Sequence, residues 1–521
     1  MNKIHNIVWS KARNAWVVVA EGTRSASKAG GAGLRVIIAL IMLTPLAGQA
    51  ATLPQGGAIS VGQGTISTNG SNQMVIKQTS DKLGINWQSF NVGADGHVIF
   101  DQPGTHSVAL NRVLGSDGSA ILGKIDANGQ VFLINPNGVI FGKDAKVNVG
   151  GLVASTLDIT DADFQNGNYK FTAGATSGEV MNLGDLQAAE GGYVALLGKS
   201  VKNNGVIRAK LGNATLAAGS AMTLDFSGDG LINVQVDKSA VNALVENKGL
   251  IQADGGSVLM TARASNALLN TVVNNEGIIQ AQTLENRGGK IFLDGGMESG
   301  TVKVAGTLDA SAPVNGNGGF IETSGANVQV ANGTKITTLS KQGKTGEWLL
   351  DPTDFYIVSG NGPLTSSQIG AATLEASLAT TNVTLQTSAA DSGQDGDINV
   401  NADVTWSANT KLTLNAASMV NFHANVTATG ANAGIAINSA WGYYIAGDGA
   451  RIRLPGANSS FSVNGLDYTM IRTAADLSLL SNAANNQHFA LADDIDASVT
   501  SGWNAGAGYI PAGGWDNGIM G

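Results

Sequence analysis

"KGLIQADGGSVLMTA", running from Lys248 to Ala262, carries the pattern on which the fold turns. Gly249 opens it, Leu250 and Ile251 follow, and Ala253 closes the first half. Gly255 and Gly256 then lead into a short run whose period of two marks a half-buried strand.

Both halves recur. The first returns as "LGDLQA" at 183–188, "NGVIRA" at 204–209, "EGIIQA" at 276–281 and "AGTLDA" at 305–310, with glycines at Gly184, Gly205, Gly277 and Gly306. The second returns as "GGYVALLG", "GGKIFLDG" and "GGFIETSG". The spacing is uneven, and the step from Gly205 to Gly249 is close to two short units. Internal repetition of this size decides the architecture. Three strands of about five residues with three tight turns make a coil of roughly 20–22 residues. Stacked coils, each strand parallel to its equivalent one coil along, form a right-handed parallel β-helix, an all-β solenoid. About 22 coils is the upper bound on that arithmetic. Longer gaps read as coils carrying loops.

Composition agrees. The chain has 521 residues and 70 glycines but only 13% charged and 5% aromatic residues, which suits many short strands between tight turns. With 43% apolar residues it can bury a core, which excludes a disordered chain. The net charge of −9 makes it a poor partner for nucleic acid, whose phosphates require clustered Lys and Arg.

The first fifty residues stand apart. Lys3, Lys11, Arg13, Arg24, Lys28 and Arg35 face one acid, Glu21, and precede the apolar run Val36–Leu46. A basic leader, a short apolar core and small residues make an extended secretory signal peptide over 1–50, cut between Ala50 and Ala51. The apolar core is shorter than the ~20 residues a membrane span needs. An exported chain without cysteine has two readings: a bridge formed in the periplasm would jam a narrow pore, or a large core needs no staples.

Residues 51–90 alternate weakly and read as an N-terminal cap, with Trp87 and Phe90 either covering the first coil or serving as ordinary core residues. Residues 311–465 read as further β-helical repeats. Residues 466–521 change character: "YTMIRTAADLSLLSNAANN" suggests a short helix, and the stretch reads as a partial, interrupted module.

Chemical signals are weak. "GSAILGKI" at 118–125 fits a phosphate-loop pattern, but Ile125 replaces the Ser or Thr that holds Mg²⁺. His97 and His106 lack a wider ligand set, and His423 and His488 are isolated. Asp225 and Asp229 sit in "DFSGDG", a turn-like stretch. No catalytic, metal or cofactor site is assigned, and the chain is not expected to be an enzyme. A β-helical polysaccharide-active enzyme ranks third and would require paired carboxylates in a groove.

One stretch, "LINPNGVIFG" from Leu133 to Gly142, sets polar Asn135-Pro136-Asn137-Gly138 between two apolar runs. Asn first, Pro second and Gly fourth suit a type I turn rather than a ligand loop. Residues 85–157, with "SFNVG", "ALNRV" and this turn in order, closely resemble the secretion domain of filamentous haemagglutinin-type exoproteins of two-partner secretion systems. The similarity runs to about residue 310, and "GEWLLDPTDFYI" and "FALADDIDAS" resemble downstream segments of long members. The leader is similar to the extended signal peptides of large exoproteins. The resemblance implies a two-partner secretion (haemagglutination activity) domain over 51–310, recognised by a dedicated outer-membrane barrel transporter after passage through the inner-membrane machinery. It makes Asn135, Pro136, Asn137 and Gly138 the secretion signature. The implied product is a secreted or surface adhesin meeting a host-cell or bacterial receptor. The alternative is a stalk delivering a toxin or haem-acquisition module.

Overall fold

The computed structural model describes residues 5–10, 15–20, 53–176, 178–226, 233–265, 272–284, 286–360, 362–388, 395–446, 449–481 and 487–509. In the coil that contains Lys248–Ala262, strands Leu250–Gln252, Ser257–Ala262 and Val273–Asn275 form three faces. Alternation turns Ile251, Val258, Met260 and Val273 inward, where none is exposed. Each strand pairs in parallel with its equivalent below and above: Ile251 with Ile207 and Ile279, Val258 with Ala214 and Ile291, Val273 with Val245 and Val302. The result is a parallel β-helix with one continuous apolar core. Its third face is a thirteen-stranded sheet from Ser119–Ile121 to Tyr443–Ile445.

The repeated glycines stack on one corner. A Cβ on Gly249 would lie 2.0 Å from the Gly205 carbonyl oxygen, and one on Gly277 would lie 2.2 Å from that of Gly249. The close approach lets Leu250 N–H reach the Gly205 carbonyl at 3.0 Å and Ile278 N–H reach that of Gly249 at 2.9 Å. Glycine is required there because the backbone of one coil occupies the place of a side chain in the next.

The step from Gly205 to Gly249 is therefore one coil, not two. The extra residues leave the solenoid: strands Ala221–Asp225 and Asn233–Lys238 join Tyr169–Thr172 in a small antiparallel sheet. That sheet, with helix Asp161–Asn166, covers the outer side of the second face. Phe164, Phe171, Met222 and Leu224 pack against Phe132, Ala195, Leu197 and Ala217. Burial from both sides explains why Asn213–Ala218 ("NATLAA") is buried throughout rather than alternating. Such insertions are also why the third face has thirteen strands instead of about 22.

At the N-terminal end, strands Ala58–Val61 and Gly64–Asn69 run antiparallel to Lys82–Trp87 and Gln73–Gln78, the first strands of the second and first faces. Trp87 and Phe90 are each 1% exposed, with ring centroids 5.5 Å apart edge to face. Both rings lie in the core of the first coil, and Gly57 of the antiparallel segment sits directly against the Trp87 ring.

The ladders cross residue 310 without a break, since Phe320–Ser324 pairs with both Lys290–Asp294 and Glu347–Asp351. Helix Ala371–Leu378 interrupts the first face. Beyond Ser460–Val463 the second face ends in a hairpin to Leu466–Ile471, with Asn464 and Gly465 both at positive φ, followed by strand His488–Leu491. The short helix expected near the C-terminus is Leu477–Ser481. In the leader, a separate unit, His5–Ser10 pairs antiparallel with Ala15–Ala20. The run Val36–Leu46, Ala50 and Ala51 lie outside the described residues. Among the described residues no helix is long and apolar enough to cross a membrane.

Gly249→Ala should lower unfolding free energy by about 1–3 kcal/mol through overpacking. Gly104→Ala, where an added Cβ meets nothing within 4 Å, should stay within about 0.5 kcal/mol. Chemical denaturation midpoints of the two variants check this.

Candidate functional site

Strand Gln130–Ile134 ends the second face and Val139–Phe141 begins the third, so Asn135–Gly138 is the corner between them. The Gly138 amide donates to the Asn135 carbonyl at 3.0 Å and closes a four-residue turn. Gly138 adopts φ +123°, a conformation other residues rarely take.

Asn135 is fully buried, yet its polar atoms are satisfied. Its amide donates to Ser155 O at 2.9 Å in the coil above. Its Nδ2 donates to Asp117 O at 2.9 Å and Ser119 Oγ at 3.0 Å in the coil below. Its Oδ1 accepts from the Asn137 amide at 3.0 Å. Asn137 Nδ2 donates to Gly115 O at 2.9 Å, and Gly178 N–H donates to Pro136 O at 3.0 Å. The turn therefore ties three successive coils together, and an aliphatic side chain at Asn135 would leave several buried groups unpaired.

The motif "ALNRV" performs two more ties. Trp87 Nε1 donates to Asn111 Oδ1 at 3.0 Å, while Asn111 Nδ2 donates to Phe132 O at 3.3 Å, joining the first coil to the next two. Arg112 reaches out of the second face to the inserted helix. Its Nε meets Asp158 Oδ1 at 2.9 Å, its Nη1 meets Asp161 Oδ1 at 2.6 Å, and its Nη2 donates to the Ile159 carbonyl. Burial alone would lower the guanidinium pKa, but the hydrogen bonds and charges of the two carboxylates outweigh it and hold the pKa above its ordinary value. Thr160 starts this helix by accepting from the Asp163 amide, and Gly167, left-handed at φ 78°, ends it. Lys82 Nζ donates to the carbonyls of Phe164 and Gln165 at 2.8 and 2.9 Å, completing the C-terminus.

A second buried ladder escaped the sequence reading. Asn182, Asn203, Asn247 and Asn275 stand two residues before the corner glycines and stack with Nδ2-to-Oδ1 distances of 2.8, 2.8 and 2.7 Å. Its signal was available: an Asn at a fixed offset from each of four repeated glycines.

The weaker candidates fall elsewhere. Gly118–Ile125 is a corner between two strands with Ile125 inward, so there is no helix N-terminus to hold phosphate. His97 Nε2 meets Asp126 Oδ2 at 2.6 Å, while His106 and His423 are exposed and His488 lies in the last strand. Asp225 ends a strand of the inserted sheet, and Asp229 lies outside the described residues. Among the described residues no three His, Cys, Asp or Glu side chains are grouped to hold a metal.

The family model of the TPS secretion domain matches residues 50–310, half of the chain. The chain belongs to the two-partner-secretion exoproteins. The model of the extended signal peptide of type V secretion systems matches residues 1–50 of this exoprotein. It is 41% identical over 271 residues to a heme/hemopexin-binding protein of Haemophilus influenzae strain Rd, covering 49% of the chain and 29% of that protein. A second Haemophilus influenzae heme/hemopexin-binding protein is 32% identical over 284 residues, covering 49% and 30%. The exoprotein thus spans less than a third of the length of these relatives. The crystal structure of the HMW1 secretion domain from Haemophilus influenzae superposes with a TM-score of 0.55 at 26% identity, over 79% of this chain and all of that one. As a two-partner-secretion exoprotein the chain is exported across the outer membrane by a TpsB transporter and reaches the cell surface or the medium. The two relatives are named for binding, not for a reaction.

Asn135→Ala should cost about 1–3 kcal/mol for the unpaired groups it leaves and speed hydrogen exchange at the Asn137 and Gly138 amides. Ile140→Ala, two residues past the turn at a side chain 42% exposed, should leave both nearly unchanged.

Proposed function

We propose that this exoprotein is a surface adhesin whose N-terminal domain is the address read by its transporter and the seed on which the remaining coils stack. The observation that supports this most is the arrangement at the N-terminal end. Among the described residues, strands Ala58–Val61 and Gly64–Asn69 each pair along one edge only, and a free edge can add to a sheet of a partner protein. The Asn135–Gly138 turn serves by fixing the local coil rather than by touching the transporter, since its polar groups are engaged internally. The leader carries the chain through the inner-membrane machinery and is removed between Ala50 and Ala51. Residues 51–310 form the secretion domain and 311–465 extend the repeats. The regular solvent-facing walls of the stack offer surfaces to a host-cell or bacterial receptor, and no catalytic step is assigned to them.

The second reading is a stalk that presents a haem-acquisition module. The names of the two Haemophilus relatives favour it. Binding separates the two: exported protein that adheres to host cells and ignores immobilised hemopexin supports the adhesin, and the reverse supports the stalk.

Replacing both Asn135 and Asn137 by Ala should leave the protein in the periplasm, while Gly249→Ala, destabilised by a similar amount, should still be exported. Fractionation with immunoblotting checks this. Normal export of the double variant, or equal retention of both, would remove the turn from the transport step.

A further inference from the structure

Along the second face, strands Phe320–Ser324, Glu347–Asp351, Asn382–Gln386 and Lys411–Ala416 stack in chain order. The third face breaks that order at one place. Asn327–Val330 pairs with Gln368–Gly370, Gln368–Gly370 pairs with Phe355–Val358, and Phe355–Val358 pairs with Ile398–Val400. The chain climbs to Phe355–Val358, turns back, and slides the later strand underneath the earlier one.

The crossing is built for this. The Asn332 side chain donates to the Gly360 carbonyl. A Cβ on Gly370 would meet Asn332 Oδ1 at 2.5 Å and Gly360 Cα at 3.1 Å. Two glycines therefore let the outgoing and returning segments pass at one asparagine. The inserted strand leads directly into helix Ala371–Leu378, which takes the place of a strand on the first face between Lys335–Thr337 and Val404–Trp406. A helix is about 10 Å thick, whereas strands stack about 4.8 Å apart. The extra strand on the third face gives that wall the height the helix takes up on the first. Leu374 and Leu378 are fully buried, and Thr380 Oγ1 bonds the Ile336 carbonyl at 3.0 Å.

We propose that this coil forms by strand exchange: Phe355–Val358 first pairs directly with Asn327–Val330 and is then displaced by Gln368–Gly370 as the helix docks. When Phe355–Val358 arrives, the edge of Asn327–Val330 is open and the native occupant has not yet followed. The early pairing keeps every side chain on its proper face. Gln329 lies opposite Gln368 and Gln368 opposite Tyr356, so Gln329 and Tyr356 both point outward. Val330 and Ile357 both point inward, as do Val328 and Phe355, and all four are fully buried. A one-residue slip would forbid the intermediate, and there is none. Gln368–Gly370 itself adds one inward apolar side chain, Ile369, so the driving force is the helix behind it. This device makes the segment a step at which stacking waits for the helix to arrive.

The inference rests on the coil-by-coil order proposed above, but its test needs no transporter, so the two can fail separately. The chain has no cysteine, which makes cross-linking unambiguous. Full-length Gln329→Cys/Tyr356→Cys and Gln329→Cys/Gln368→Cys variants are refolded from denaturant, oxidised at timed intervals and resolved on non-reducing gels. A Gln329→Cys/Asn399→Cys variant sets the background. The 329–356 bridge should appear first at several times background and then fall to background as the 329–368 bridge rises. Adding Leu374→Ala and Leu378→Ala to the first variant should prolong the early bridge. A 329–356 bridge that never exceeds background, a 329–368 bridge that forms first, or an early bridge unaffected by the helix substitutions overturns the proposal.

Discussion

A strand in a parallel β-helix has no partner within its own coil. Its N–H and C=O groups are satisfied only by the coils before and after it, and its inward side chains are covered only when all three walls of the coil are in place. That mutual dependence governs the rest of this molecule. It makes the core continuous from Leu53 to Ala492, and it leaves an exposed edge wherever stacking stops. At the N-terminal end two antiparallel strands cover the edges of the first coil, with the Trp87 ring beneath Gly57, and pass the open edge to themselves. The C-terminal end of the second face uses a hairpin in the same way.

Corners carry the specificity that the uniform apolar walls lack. Val, Ile and Leu columns would tolerate many registers, because any inward aliphatic can follow any other. The stacked glycines, the Asn182–Asn275 amides and the Asn135–Gly138 turn do not, since each satisfies a buried group at one position only. The amides run in one direction, each Nδ2 donating to the next Oδ1, so a displaced strand would bury unpaired donors. The Asn135–Gly138 turn is thus one of several corner devices and, like Asn203 and Asn247, it bonds to the coils on both sides of it.

These devices suit the coil-by-coil stacking proposed for this exoprotein. Stability built from neighbour-to-neighbour contacts can accumulate coil by coil without a closing long-range step. Among the exceptions are two places where distant segments must meet: the Arg112 clamp on Asp158 and Asp161, and the reversed strands around Asn332. Both depend on chain that emerges later than the coil it completes.

The fold class was legible in the sequence, because a period-two pattern repeated behind glycine corners has few other ways to bury its apolar face. So were the turn at Asn135–Gly138, whose Pro and Gly act through local φ preferences, and the export leader, whose signal is compositional. How the repeats count emerges only from packing. The long interval between Gly205 and Gly249 is one coil with a sheet folded against its outside, since what an insertion covers depends on a wall built by other residues. The same holds for Arg112, legible only as part of a motif until Asp158 and Asp161 stand opposite it, and for helix Ala371–Leu378, placed among strands. The order of strands at Gln368–Gly370 was likewise beyond local reading, because which edge a strand joins is settled by the geometry of neighbours far away in the chain.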